Sequence, residues 1–132
     1  MTYKSIAAGT LLSIVVIAWA CQSNQAADVH VAAADTFTTL YSRSRLSGWK
    51  VEARAASADC SVLLIETSIV MEESMIEAMH YGAGAYDVYD GGVQKFYRDR
   101  GFRGVAYRDS SGTVWRYGAV TEREAETLAP CR

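Results

Sequence analysis

The chain has 132 residues, 13 Lys and Arg against 15 Asp and Glu, two His and three Cys, for a formal charge of −2. A length of this order supports one domain with a single core. The mildly acidic balance lacks the strong basic excess of a general nucleic-acid binder, so nucleic acid is not expected as a partner.

Residues 5 to 20 are an uncharged apolar run that follows Lys4 and stops at Cys21. A short basic start, an apolar middle and small residues at Ala18 and Ala20 have the layout of an export signal. The run is shorter than the roughly 20 residues a helix needs to cross the hydrocarbon core. Residues 1–20 are therefore read as a signal peptide, and the periplasm or cell envelope as the location. Cys21 has two fates. Cleavage just before it would expose it for lipidation, though Ala18-Trp19-Ala20-Cys21 departs from the usual Leu-Ala-Gly/Ala-Cys pattern. Cleavage after Ala26 or Ala27 would discard it. Membrane contact is expected only through the signal or through a lipid on Cys21. Loss of residues 1–20 removes one basic residue, Lys4, and leaves 12 basic against 15 acidic side chains.

Residues 21–34, rich in Ala, Gln and Asn, read as a flexible tether, and 35–132 as a single α+β domain. Phe37, Leu40 and Tyr41 share one helical face, and Gly48 stands where a left-handed C-terminal cap belongs. Trp49 to Arg54 alternates apolar and polar as a half-buried strand does, and Cys60 to Glu66 is a more continuously apolar, central strand. Thr67 or Ser68 can cap a helix over about Ile69–Tyr81, with Glu72 and Glu73 at its positive end and Gly82 after it. Asp90 can cap a second helix through Arg100. Phe102–Arg108 and Thr113–Tyr117 are strands joined by Asp109-Ser-Ser-Gly112, a hairpin turn. Thr121-Glu-Arg-Glu124 is a capping box, and its helix is stopped by Pro130.

The order α-β-β-α-α-β-β-α predicts a four-stranded antiparallel sheet with helices on one face. Gly48-Trp49-Lys50-Val51 and Gly101-Phe102-Arg103-Gly104-Val105 echo one another after two helices. An ancient αββ duplication and an ordinary helix-to-strand junction both account for the echo.

Three constellations carry chemistry. Glu73, Glu77 and His80 fall on one helical face, and Glu77-x-x-His80 has the carboxylate–imidazole spacing of helical metal sites. Such sites use the motif twice, and here it occurs once, as a solvated acidic face would have it. The loop Gly82 to Gly92 sets Tyr86, Asp87, Tyr89 and Asp90 among glycines, a composition suited to partner contact. It fits neither a dinucleotide fingerprint nor a phosphate loop nor a calcium loop. From Val93 to Arg116, Lys95, Arg98, Arg100, Arg103, Arg108 and Arg116 interleave with aromatics, while residues 52–90 hold eight acids against Arg54. The two halves can neutralise each other.

Ser47-Gly-Trp-Lys50 has a Ser-x-x-Lys spacing without the companion motifs of the enzymes that use it, and no nucleophile, acid and base assemble. No catalytic residue and no cofactor are assigned. In an oxidising compartment Cys60 and Cys131 are expected to pair, fastening the last helix to the sheet. The expectation is an exported, non-catalytic envelope protein that binds another protein, as an inhibitor, immunity factor or accessory subunit does. Tyr86, Asp87, Tyr89, Arg98 and Arg103 are its candidate contact residues. The rival is a small metal-binding protein or metal-dependent enzyme using Glu73, Glu77 and His80.

Overall fold

The computed structural model describes residues 25–43 and 48–131; the stretch expected to be a signal peptide and Cys21 lie outside them. The described elements are α1 (25–43), β1 (Val51–Ala56), β2 (Val62–Thr67), α2 (Glu73–Tyr81), a 3-10 turn (Gly84–Tyr86), α3 (Gly92–Asp99), β3 (Gly104–Arg108), β4 (Val114–Gly118) and α4 (Glu122–Glu126). This is the α+β order expected.

The sheet is mixed, where a purely antiparallel one was expected. Its order is β1-β2-β3-β4, with β1–β2 and β3–β4 antiparallel and β2–β3 parallel. Antiparallel neighbours need only a short turn, whereas parallel neighbours need a crossover over the sheet face. The long connection carrying α2 and α3 is that crossover, and element order alone does not separate it from a helical pair that returns the chain.

Alternation along each strand divides the core. Val51, Ala53, Ala55, Leu63, Ile65, Val105 and Tyr107 face α1, α2 and α3. Ala56, Val62, Leu64 and Ala106 face the other way, toward Val120, Ala125 and Leu128 around α4. The first layer is closed by Phe37 of α1, which stacks on Tyr41 and meets Phe96 of α3 edge-on, with centroids 5.1 Å apart.

Within the stretch read as a tether, residues 25–34 are helical turns of α1. Ala33 and Ala34 are buried, and His30 stacks on Phe102. Alanine favours helix, and its small side chain lets α1 sit close to β1. A lack of large aliphatic residues therefore did not mean a lack of packing here.

The topology also speaks against a simple αββ repeat. Viewed from the helical face and with each first strand pointing up, β2 and β4 fall on opposite sides of β1 and β3. The two hairpins therefore superpose only if core face and outer face are exchanged. Their helices, however, lie on one face.

Side-chain caps differ from expectation at three helices. α2 begins at Glu73 rather than Ile69, because Ser68 Oγ accepts from Lys50 N and the Thr67 hydroxyl donates to the Ile69 carbonyl. At α3 the N-cap is Gly91, not Asp90. At α4 Thr121 Oγ1 accepts from Glu124 N, but the Glu124 carboxylate turns to Arg103 instead of closing the box.

The edge strand β1 is covered along its free side. Ala53 N donates 2.8 Å to the Thr38 hydroxyl of α1. Further along, Ser57 N donates to the Ala129 carbonyl and Cys131 N to the Ala55 carbonyl, so Pro130 bridges Ala56 as a one-residue fifth strand. Its ring nitrogen, lacking a hydrogen, faces outward, where a further strand would need a donor. The expected disulfide joins Cys60 to Cys131, with Cα atoms 5.4 Å apart. Among the described residues, no helix is long and apolar enough to cross a membrane.

Candidate partner-binding surface

The loop between α2 and α3 owes its shape to the two glycines at its stem. Gly82 ends α2 at φ +73, and Gly92 starts α3 at φ +72. A Cβ built on Gly82 would stand 2.7 Å from Gly92 N, and one on Gly92 would strike Gly82 N and the His80 carbonyl. The glycines thus let two backbones touch, and residues 83–91 form a closed loop on that stem. Inside it, Tyr86 N donates to the Ala83 carbonyl and Asp87 N to the Gly84 carbonyl.

This loop presents Tyr86, Asp87, Val88 and Tyr89. Tyr86 and Tyr89 are half-buried, and Asp87 and Asp90 are exposed. The Tyr86 ring lies 6.4 Å from that of half-buried Trp49, whose entry into β1 places a second aromatic beside the loop. Tyr89 meets Phe96 edge-on at 5.1 Å, and its hydroxyl donates 2.9 Å to Asp99. Lys95 donates to the same carboxylate and holds its charge over the Tyr89 ring. These two bonds keep the Asp99 carboxyl below its ordinary range, Lys95 first and Tyr89 second. Arg98 is exposed, with its guanidinium 5.8 Å from the Tyr97 ring centre.

Arg103 serves elsewhere. Its guanidinium donates to Ser61 Oγ, to the Ala119 carbonyl and to both Glu124 oxygens. Ser61 in turn bonds Asp59, whose carboxyl falls to about 2, chiefly through the hydroxyls of Ser57 and Ser61. Tyr86, Asp87 and Tyr89 therefore share one loop, Arg98 stands on the following helix, and Arg103 ties β3 to α4. Trp49 and Asp109 hold structural places that composition did not single out. Trp49 borders the loop. Asp109 accepts from Met71 N, Ser111 N and Thr113 N, fixing both the β3–β4 turn and the approach to α2. An Asx-turn reading of Asp109 to Thr113 carries the second signal.

Glu73, Glu77 and His80 do not converge. The carboxylates are exposed while His80 is 1 % exposed, capped by the Tyr117 ring at 3.7 Å. Its Nδ1 lies 3.0 Å from the Tyr107 hydroxyl. Burial, and after it the charge of Arg98, lowers the imidazole to about 4. Rings from β4 (Tyr117), β3 (Tyr107) and α3 (Tyr97) enclose His80 in the core, which helical spacing alone does not reveal. Among the described residues, no group of three His, Cys, Asp or Glu is placed to hold a metal ion.

Comparison with protein-family models, curated proteins and solved structures finds no match for this chain.

Proposed function

We propose that this chain is an exported, non-catalytic protein-binding module of the cell envelope, of the inhibitor, immunity or accessory-subunit kind. Its contact surface is the loop of residues 83–91 with Trp49 and Arg98 at its margin. The observation that carries this reading is the closed stem at Gly82 and Gly92, which holds Tyr86 and Tyr89 half-exposed in fixed positions. Rigid tyrosines offer large amphipathic contact area at low entropic cost, and Tyr and Arg recur among dominant contacts. Export is supported by Lys4, the apolar run and Ala18/Ala20, and by the Cys60–Cys131 pair. Processing ahead of Cys21 would keep the packed turns of α1, where Ala27 and His30 meet the core. Cleavage after Ala27 would cut into them.

Affinity capture from envelope extract tests the reading, with wild type and the Tyr86→Ala and Asp87→Arg variants compared at matched melting temperature. A partner retained by wild type and lost by both variants supports it. An identical capture profile overturns the assignment of the surface. Stoichiometric zinc, iron or copper in the purified chain, lost in His80→Ala, would favour the metal reading instead. Intact mass of natively expressed protein tests export, because a full-length chain overturns it.

A further inference from the structure

We infer that the Cys60–Cys131 disulfide is a redox-removable latch on the edge of β1, whose reduction frees residues 129–131 while the rest of the fold stays closed. Besides the sulfur bond, the segment is held by a single β-bridge at Pro130 and by Cys131 packing at the margin of the core. Its noncovalent ties to β1 are Ser57 N to the Ala129 carbonyl at 3.3 Å and Cys131 N to the Ala55 carbonyl at 3.1 Å. Ala129 is exposed, and Pro130 and Cys131 are half-exposed.

The residues just before it are anchored independently. Leu128 is buried and its carbonyl accepts from Arg108, while Glu124 is bound to Arg103. Ala129 is therefore the point at which the chain can swing. The turn at the other end of the latch is strained. Ser57 and Cys60 both adopt left-handed backbone angles, φ +76 and +60, which non-glycine residues rarely hold. Opening lays bare the Ser57 amide and the Ala55 carbonyl, a donor and an acceptor on a sheet edge that Pro130 otherwise closes.

The reaction is thiol–disulfide exchange with a dithiol reductant. Two reductant thiols become a disulfide, the S–S bond between Cys60 and Cys131 breaks, and each cysteine leaves as a thiol after gaining one electron and one proton.

Amide hydrogen exchange by NMR tests this on the disulfide-intact chain before and after dithiothreitol, with thiol titration to verify reduction. On reduction the Ser57 and Cys131 amides should exchange at least about tenfold faster, as local opening requires. The amides of Leu63, Ile65, Val105 and Tyr107 should change by less than about threefold. The Cys60→Ser, Cys131→Ser double variant should show the same pattern without reductant. Unchanged exchange at Ser57 overturns the latch. So does loss of protection across β2 and β3, which would make the disulfide a staple of the whole fold.

Discussion

The Tyr107 hydroxyl on β3 and Nδ1 of His80 on α2 stand 3.0 Å apart inside the core, both side chains buried. Tyr97 of α3, Tyr117 of β4 and the neighbouring Tyr81 also pack on the imidazole, and Arg98 is the charge that reaches it. An imidazole so enclosed stays neutral, since protonation would place a charge where water cannot solvate it.

That enclosure makes stability depend on pH with a defined sign. The His80 pKa is depressed from 6.5 unfolded to about 4 folded, so between these values the unfolded chain binds the extra proton. The contribution is complete above pH 6.5 and is lost as pH falls toward 4. Its size is on the order of 3 kcal/mol. Urea unfolding at pH 4, 5, 6 and 7 should show this slope in wild type and not in His80→Gln. Carboxylates such as Asp59, held at about 2, act lower, below the ordinary Asp value. An equal slope in the variant would assign the dependence to other groups.

The element order was legible because its signals are local: alternation from Trp49 to Arg54, the apolar run after Cys60, and the turn at Asp109. The pairing of β2 with β3 was not, because parallel or antiparallel is decided by how a long connection crosses the sheet. His80 and Arg103 show the same limit at the level of side chains. Helical spacing placed His80 with Glu73 and Glu77, but a strand distant in sequence buries it. Charge and proximity in sequence grouped Arg103 with the tyrosine loop, but Glu124, 21 residues later, claims it.

The loop stem should discriminate between two glycines. A methyl group at Gly92 meets backbone atoms of Gly82 and His80, none of which can move without disturbing α2. Gly84 is also left-handed, at φ +59, but has nothing within 4 Å of a built Cβ. Gly92→Ala is expected to cost about 2 kcal/mol or more through backbone collision and strain. Gly84→Ala should cost about 1 kcal/mol, from conformation alone. Chemical denaturation of the two variants checks the ranking, and equal costs would mean that the stem contact is not tight.

Arg103→Ala should behave as a structural variant. It removes the bonds to Ser61, the Ala119 carbonyl and Glu124, loosening α4 from β3. The network is partly exposed, so a loss of about 1 kcal/mol is expected. Partner capture should survive at temperatures well below the melting point, in contrast to Tyr86→Ala. Loss of capture with stability unchanged would return Arg103 to the contact surface.

Asp109 carries a turn and a helix approach at once. Its Oδ1 accepts from Ser111 N and Thr113 N, and its Oδ2 accepts from Met71 N across a sequence separation of 38. The Ser111 hydroxyl also donates to it and is the first cause of its lowered pKa, which burial opposes and the backbone donors reinforce. Asp109→Ala strips the acceptor from three backbone amides and should lower the melting temperature by several degrees. Asp109→Asn keeps one carbonyl oxygen and can satisfy the turn amides or Met71 N, but not both sets. It should therefore fall between wild type and Ala. Hydrogen exchange gives the sharper check, because Met71 and Thr113 amides should lose protection together in the Ala variant. Retained protection at Met71 would show that the approach to α2 is held by Met71 packing rather than by the carboxylate.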